Sequence, residues 1–226
     1  MKSRESEISE NLEAVEARIA RALKESHRSR EEITLIAVTK FFPRSDLEIL
    51  YGLGLRNFGE NRDQEGSAKA IELPTDISWH FQGQVQSKKI PSIIEWARVI
   101  HSLDSIEHAM KFNQRLKEMG QSREFFLQLN LEPDRTDRGG LPADQVEGFL
   151  NASREFSQVK IVGLMSVPPL DKSPAQAFAE VASIAHTLEL PSLSLGMSND
   201  FEDAIVAGAT HIRVGSSILG SRPTPA

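Results

Sequence analysis

Apolar residues recur at Ile8, Leu12, Val15, Ile19 and Leu23 with charged residues between them, steps of four, three, four and four. That spacing lays one apolar stripe along an amphipathic helix. The helix lies within residues 1–30, ahead of every other element, and is expected to pack on the rest of the domain. The next apolar run, Ile33 to Thr39, is short and β-branched, as suits a strand buried on both faces, and it stops at Lys40.

From there the pattern alternates. A helical segment from Ser45 ends at Gly54, which suits a C-cap, and a short strand from Leu55 to Phe58 runs into Gly59-Glu60-Asn61. Further strands are expected over Ile77 to Phe81, Ala97 to His101, Glu124 to Asn130, Val159 to Gly163, Leu193 to Leu195 and His211 to Val214. Helices are expected near Lys88 to Glu95, Ser105 to Met119, Asp144 to Ala152, Pro174 to Leu188 and Phe201 to Ala207, and no element is assigned between Asn61 and Ile77. The stretch from Leu131 to Leu141, with its charges, proline and paired glycines, reads as a mobile surface loop. Eight strands separated by helices predict an α/β fold: a single (β/α)8 barrel domain over residues 1–226, with 221–226 as a short tail. An open doubly wound sheet shares the same local alternation.

Composition narrows the function classes. With 39% hydrophobic and 26% charged residues, 14 Gly and 11 Pro, the chain is an ordinary folded protein rather than a collagen or a disordered one. Its 26 Lys and Arg against 32 Asp and Glu give a net charge of −6, and the basic residues are scattered, the densest clusters being Lys88-Lys89 and Arg28-Ser29-Arg30. No nucleic-acid partner is expected. The absence of cysteine removes disulfides, thiolate nucleophiles and Cys-based metal sites. The opening MKSRESEISE lacks the apolar core of a signal peptide, and no run approaches the ~20 apolar residues of a membrane span, so a cytoplasmic protein without a membrane partner is expected.

In a barrel the working residues stand at the C-terminal ends of the strands. Lys40, straight after an apolar strand, places its stem in the barrel mouth, where partial desolvation makes a neutral amine available to aldehydes; an ordinary lysine reaching from a strand end to water has the same position. The last two strands run into Gly196-Met197-Ser198-Asn199-Asp200 and Arg213-Val214-Gly215-Ser216-Ser217, loops that favour an anion, although serines there also serve as plain N-caps. Arg213 lies within the eighth strand and points either into the barrel or among the helices; buried, it needs a partner such as a ring nitrogen or a carboxylate.

Other chemistry finds little support. The Gly196 segment misses the G-x-S-x-G nucleophile elbow because Asp200 stands where the second glycine belongs, and no histidine is paired with it. The six histidines lack metal-ligand spacing, Gly52-Leu53-Gly54 lacks the third glycine of a dinucleotide fingerprint, and Asp134 and Asp137 read as solvated loop carboxylates. No metal is assigned.

The motifs in order do assemble. Leu35-Ile36-Ala37-Val38-Thr39-Lys40, Asn57-Phe58-Gly59-Glu60-Asn61, Trp79-His80-Phe81-x-Gly83 with Gln86-Ser87, His101-Ser102-Leu103-Asp104-Ser105 and Gln128-x-Asn130 are succeeded by Gly163-Leu164-Met165, Leu195-Gly196-Met197-Ser198-x-Asp200-Phe201, Gly208-Ala209-Thr210 and Arg213-x-Gly215-Ser216. Across about residues 35 to 220 the chain resembles the YggS/PROSC family of pyridoxal phosphate (PLP) homeostasis proteins. The resemblance implies a fold type III PLP barrel like the N-terminal domain of alanine racemase, with Lys40 as the Schiff-base lysine and Ser198, Gly215 and Ser216 on the phosphate. By the same carry-over Arg213 faces the pyridine nitrogen, Asn61 lies near the ring and Met165 lines the pocket.

Phe42 and Asp137 stand where many relatives carry further lysines, and the tail bears none, so no secondary lysine site for PLP transfer is expected. The function implied is a PLP carrier and regulator without substrate turnover, a monomer whose partners are PLP and PLP-dependent apo-enzymes. A small PLP-dependent racemase or lyase using Lys40 is the alternative. Against it stands the lone Tyr51, which falls in a predicted helix far from any strand end and cannot supply the second acid/base group. A barrel for another phosphorylated metabolite, or an interaction scaffold, is a third class.

Overall fold

Strand β1 (Thr34–Val38) pairs in parallel with β2 (Asn57–Glu60), and the sequence continues through β3 (Ser78–Phe81), β4 (Val99–Leu103), β5 (Arg123–Leu129), β6 (Val159–Ser166), β7 (Ser192–Ser194) and β8 (His211–Val214). Strand β8 then pairs back onto β1, Thr34 opposite His211 and Ala37 opposite Val214. The sheet is therefore a closed parallel barrel, and the open-sheet alternative falls away. The computed structural model describes residues 2–132 and 139–221. The expected loop over Leu131 to Leu141, with Asp134 and Asp137, lies largely outside the described residues, as does the tail beyond Ser221.

Helices α1 (Arg4–Glu25), α2 (Arg44–Gly52), α3 (Asp63–Glu72), α4 (Ile90–Trp96), α5 (Ile106–Glu118), α6 (Val146–Ala152), α7 (Pro174–Thr187), α8 (Phe201–Val206) and the short α9 (Ser216–Leu219) surround the strands. None of the described helices is long and apolar enough to cross a membrane. The stripe on α1 is buried as its spacing requires, from Ile8 to Leu23. This helix packs on α8, α9 and α2, and its polar side chains make the longest-range bonds in the molecule. Arg4 donates to both carboxylate oxygens of Asp46 and to the Leu219 carbonyl, Asn11 to the Ile218 carbonyl, and Arg18 to Glu202 and the Ser198 carbonyl.

Two expectations need correction. Helix α3 occupies a stretch to which no element was assigned, because its inward face carries Asp63, Gly66 and Lys69 in place of leucines. Gly66 is required there: a Cβ would stand 2.4 Å from the Trp96 ring. Strand β4 starts two residues later than expected and runs on through Ser102 and Leu103, because His101, which seems to end it, is a buried polar residue facing the barrel interior; β6 continues three residues past Gly163 to Ser166.

That interior is unusual. His80 of β3, His101 of β4 and His211 of β8 lie within 6.3 Å of one another, centroid to centroid, and Phe126 of β5 stacks on His101 at 4.6 Å. Side chains from β4 and β8 can meet only across the lumen. The main apolar core lies instead between strands and helices, with Val99, Phe126 and Met165 as a separate small cluster.

Candidate functional site

At the C-terminal ends of the strands the barrel opens into a cavity of about 680 Å³. Lys40, Asn61, Met165, Ser198, Arg213, Gly215 and Ser216, which come from β1, β2, β6, β7 and β8 or the loops just after them, all line it. The seven residues expected from the sequence thus share one wall system, together with Phe42, Gln82, Asp200 and Lys172, which were not expected there.

Lys40 sits in a backbone pinned on both sides. Thr39 donates its N–H to the Gly59 carbonyl at 3.0 Å and its hydroxyl to Glu60 Oε1 at 2.6 Å, while the Thr39 carbonyl accepts from Lys69 Nζ at 2.8 Å. On the other side the Phe41 N–H donates to Glu65 Oε1 at 2.6 Å, and Phe41 takes φ of +72°, a left-handed conformation that costs a side-chain-bearing residue energy. Lys69 closes the knot, donating also to Glu60 and Glu65, both at 2.7 Å. Glu60 is fully buried, its Oε2 has no partner among the described residues, and burial lifts its carboxyl above the usual carboxylate range despite the adjacent Lys69 charge and hydrogen bonds. Nothing in the hydrophobic pattern signals this network.

Across the cavity the loops after β7 and β8 interlock. Ser198 Oγ accepts the amides of Gly215 and Ser217, each at 3.2 Å, and Ser217 Oγ returns a bond to the Ser198 carbonyl. Two acceptances fill the lone pairs of Ser198 and leave its O–H as the remaining valence. The Ser216 amide has no protein acceptor among the described residues. Gly215 packs closely on β1: a Cβ would lie 3.2 Å from the Val38 carbonyl oxygen, a tight approach. On the rim, Asp200 Oδ1 accepts the Met197 amide at 2.6 Å, and half-burial raises its carboxyl. Ser217 is an addition to the expected set.

Arg213 points into the barrel. One terminal nitrogen donates to the Ser194 carbonyl and, at 2.8 Å, to Ser194 Oγ; the other donates to the Ser166 carbonyl at 3.0 Å. Its Nε–H takes no protein acceptor among the described residues, and the residue lines the cavity. Burial pulls its pKa down to about 10, which still leaves it charged at neutral pH.

Tyr51 lies elsewhere, on α2, where it donates to Asp76 at 3.0 Å under the Arg56 guanidinium. Asp76 precedes β3 and Arg56 precedes β2, so this group belongs to the opposite end of the barrel. Phe42 is buried against the cavity, and Lys172 on the rim pairs with Glu180 at 3.5 Å.

The model of the alanine racemase N-terminal domain family matches residues 11–223. A pyridoxal phosphate homeostasis protein of Corynebacterium glutamicum is 39% identical over 221 residues, 92% of this chain and 99% of its own. The chain belongs to the pyridoxal phosphate homeostasis protein family. Among solved structures, PipY of Synechococcus elongatus PCC7942, with PLP bound, is 34% identical with a TM-score of 0.83 over 94% of this chain and all of its own. A protein of unknown function from Bifidobacterium adolescentis superposes with a TM-score of 0.88 at 26% identity, over 96% of each chain. The family membership and the closed barrel agree with the fold expected from the motifs.

Proposed function

We propose that the chain reversibly holds PLP in this cavity as a carrier and regulator of the cofactor, without turning over a substrate. The single observation that carries the reading is the convergence, around one cavity, of a strand-end amine, a ring-nitrogen donor and an anion cup. The residues fit the cofactor. Lys40 is the amine that would hold the aldehyde; the Ser198 hydroxyl, held by the Gly215 and Ser217 amides, and the Ser216 amide face the place for a phosphate; Arg213 offers Nε–H to a ring nitrogen. Asn61 and Met165 line the cavity where the ring would lie, and the buried amide nitrogen of Gln82 has no partner among the described residues. The bound cofactor supplies an aldehyde that an amine takes up covalently and releases to water or to another amine.

Carrier rather than racemase or lyase is favoured by the name of the relatives and by the placement of Tyr51 at the far end of the barrel. Arg213, a charged donor, also keeps a ring nitrogen unprotonated and so weakens electron withdrawal from a substrate. We further propose that the protein works as a monomer in the cytoplasm and delivers PLP to apo-enzymes, for which exposed Phe41, Val167, Leu170 and Met197 offer an apolar contact surface.

The test is the visible absorption of the purified protein with PLP, before and after borohydride, with peptide mapping of the reduced adduct. Lys40→Ala should abolish the band. Labelling of Lys172 or another lysine in the native protein would overturn the assignment, and multiple-turnover loss of the alanine α-deuteron would replace the carrier by a racemase.

A further inference from the structure

The three histidines in the lumen are not among the residues that line the cavity, yet two of them lie in a continuous chain of hydrogen bonds that ends on Arg213. Ser194 Oγ stands 2.8 Å from Arg213 and 2.8 Å from His101 Nδ1. His101 Nε2 stands 2.9 Å from His80 Nδ1, and His80 Nε2 stands 3.1 Å from Asn57 Oδ1.

The direction of this chain is set by its charged end. Guanidinium only donates, so Ser194 Oγ accepts from Arg213. The Ser194 proton then has one acceptor among the described residues, His101 Nδ1, which must be bare. His101 therefore carries its proton on Nε2 and donates to His80 Nδ1; His80 in turn carries its proton on Nε2 and donates to the Asn57 side-chain oxygen. The reverse direction would leave the buried Ser194 hydroxyl proton without an acceptor. Burial keeps both rings neutral, His80 near 3 and His101 well below its ordinary value, so no second positive charge competes with Arg213.

We propose that His101, oriented by His80 and Asn57, is a positioning residue for Arg213: through Ser194 it fixes the guanidinium so that its Nε–H faces the cavity. His211 serves as a built-in comparison. It shares the lumen and packs on the same rings, but its Nδ1 meets Thr210 Oγ1 at 2.8 Å and it is no member of the chain. The consequence for the cofactor rests on the proposed function; the geometry does not.

Nitrogen-15 NMR of the cofactor-free protein reads the chain directly. His80 and His101 should both be neutral with the proton on Nε2, and the Arg213 guanidinium protons, assigned by their loss in Arg213→Lys, should exchange slowly. In His101→Leu those protons should exchange about tenfold faster, the factor that one hydrogen bond of ordinary strength represents. His101→Gln, which can still accept from Ser194 and donate to His80, should restore slow exchange, and His211→Leu should leave it unchanged. With PLP bound, His101→Leu alone should shift the visible band while reduction still labels Lys40. A proton on His101 Nδ1, or equal effects of His101→Leu and His211→Leu, would overturn the proposal. Should His101→Leu fail to fold, the wild-type tautomers and Arg213 exchange in Ser194→Ala decide the matter. Failure of the cofactor reading would show separately, as a wild-type protein with the expected NMR behaviour and no lysine-bound band.

Discussion

Replacing Lys69 with Met tests the knot beneath Lys40. Its ammonium donates to the Thr39 carbonyl at 2.8 Å and to Glu60 and Glu65 at 2.7 Å each, which uses all three of its protons. The side chain is 10% exposed and that of Glu60 is 0% exposed. Removing one partner of a buried pair leaves an uncompensated charge and costs about 3–5 kcal/mol. In a chain of this size that corresponds to a fall in Tm of about 6–20 °C. Burial already raises the Glu60 carboxyl, and Lys69 is what opposes the rise. Without Lys69 the folded-state value climbs further above the unfolded one. A carboxyl raised in this way favours the folded state below its unfolded pKa, and that benefit is lost as pH rises through the window up to the folded pKa. The Met variant should therefore lose most stability above the raised folded-state pKa of Glu60 and recover towards the wild type as pH falls towards the unfolded-state value. Adding Glu60→Gln should restore part of the loss at neutral pH. The assay is thermal unfolding monitored by circular dichroism across pH. A pH-independent difference, or a double variant no better than the single one, would refute the account of Glu60 as a buried charge held by Lys69.

Two predictions concern the opposite wall. Ser198→Ala should weaken PLP by roughly 10-fold to 100-fold, the worth of one hydrogen bond to a charged group, and leave pyridoxal nearly unchanged; spectral titration of both aldehydes at fixed salt checks it, and equal losses would contradict a phosphate at Ser198. Arg18→Ala deletes the bond from α1 to the Ser198 carbonyl, so PLP affinity should fall by about 2–10-fold with Lys40 still the labelled residue. Unchanged affinity would show that the loop keeps its shape without the helix.

The strands most legible in the sequence are those with apolar residues on both faces. Leu35-Ile36-Ala37 is buried throughout, and its pattern places Lys40 at the barrel mouth without further information. Reading an apolar run fails where a strand lines the lumen. His101 in β4 is a buried polar residue inside a strand, and a pattern that takes polarity as exposure ends the strand at it. The same confusion hides α3, whose buried side is an aspartate, a glycine and a lysine. For the site, the strand-end rule finds Lys40, Ser198, Gly215 and Ser216, because each comes just after an element that the pattern does reveal. The inward direction of Arg213 is set by Ser194 and Ser166 on neighbouring strands, and the support of Lys40 by Lys69, 30 residues beyond the carbonyl it bonds. Such partners are fixed by barrel closure, which local sequence does not encode.

The supports share a design. Three of the residues proposed to hold the cofactor are braced from a different element: the backbone on either side of Lys40 by Lys69 and Glu65 on α3, Ser198 by Arg18 on α1, and Arg213 by Ser194 on β7 and Ser166 on β6. Side chains held in place before the ligand arrives lose little entropy when it binds, so a modest number of contacts suffices to retain it. Release of a ligand held as proposed would need no unfolding of the wall, only hydrolysis or displacement at one amine and departure of one anion from the cup. A reversible carrier of the kind proposed benefits from such an arrangement, since retention would be distributed over three rigid anchors while exchange would be confined to a single bond at Lys40.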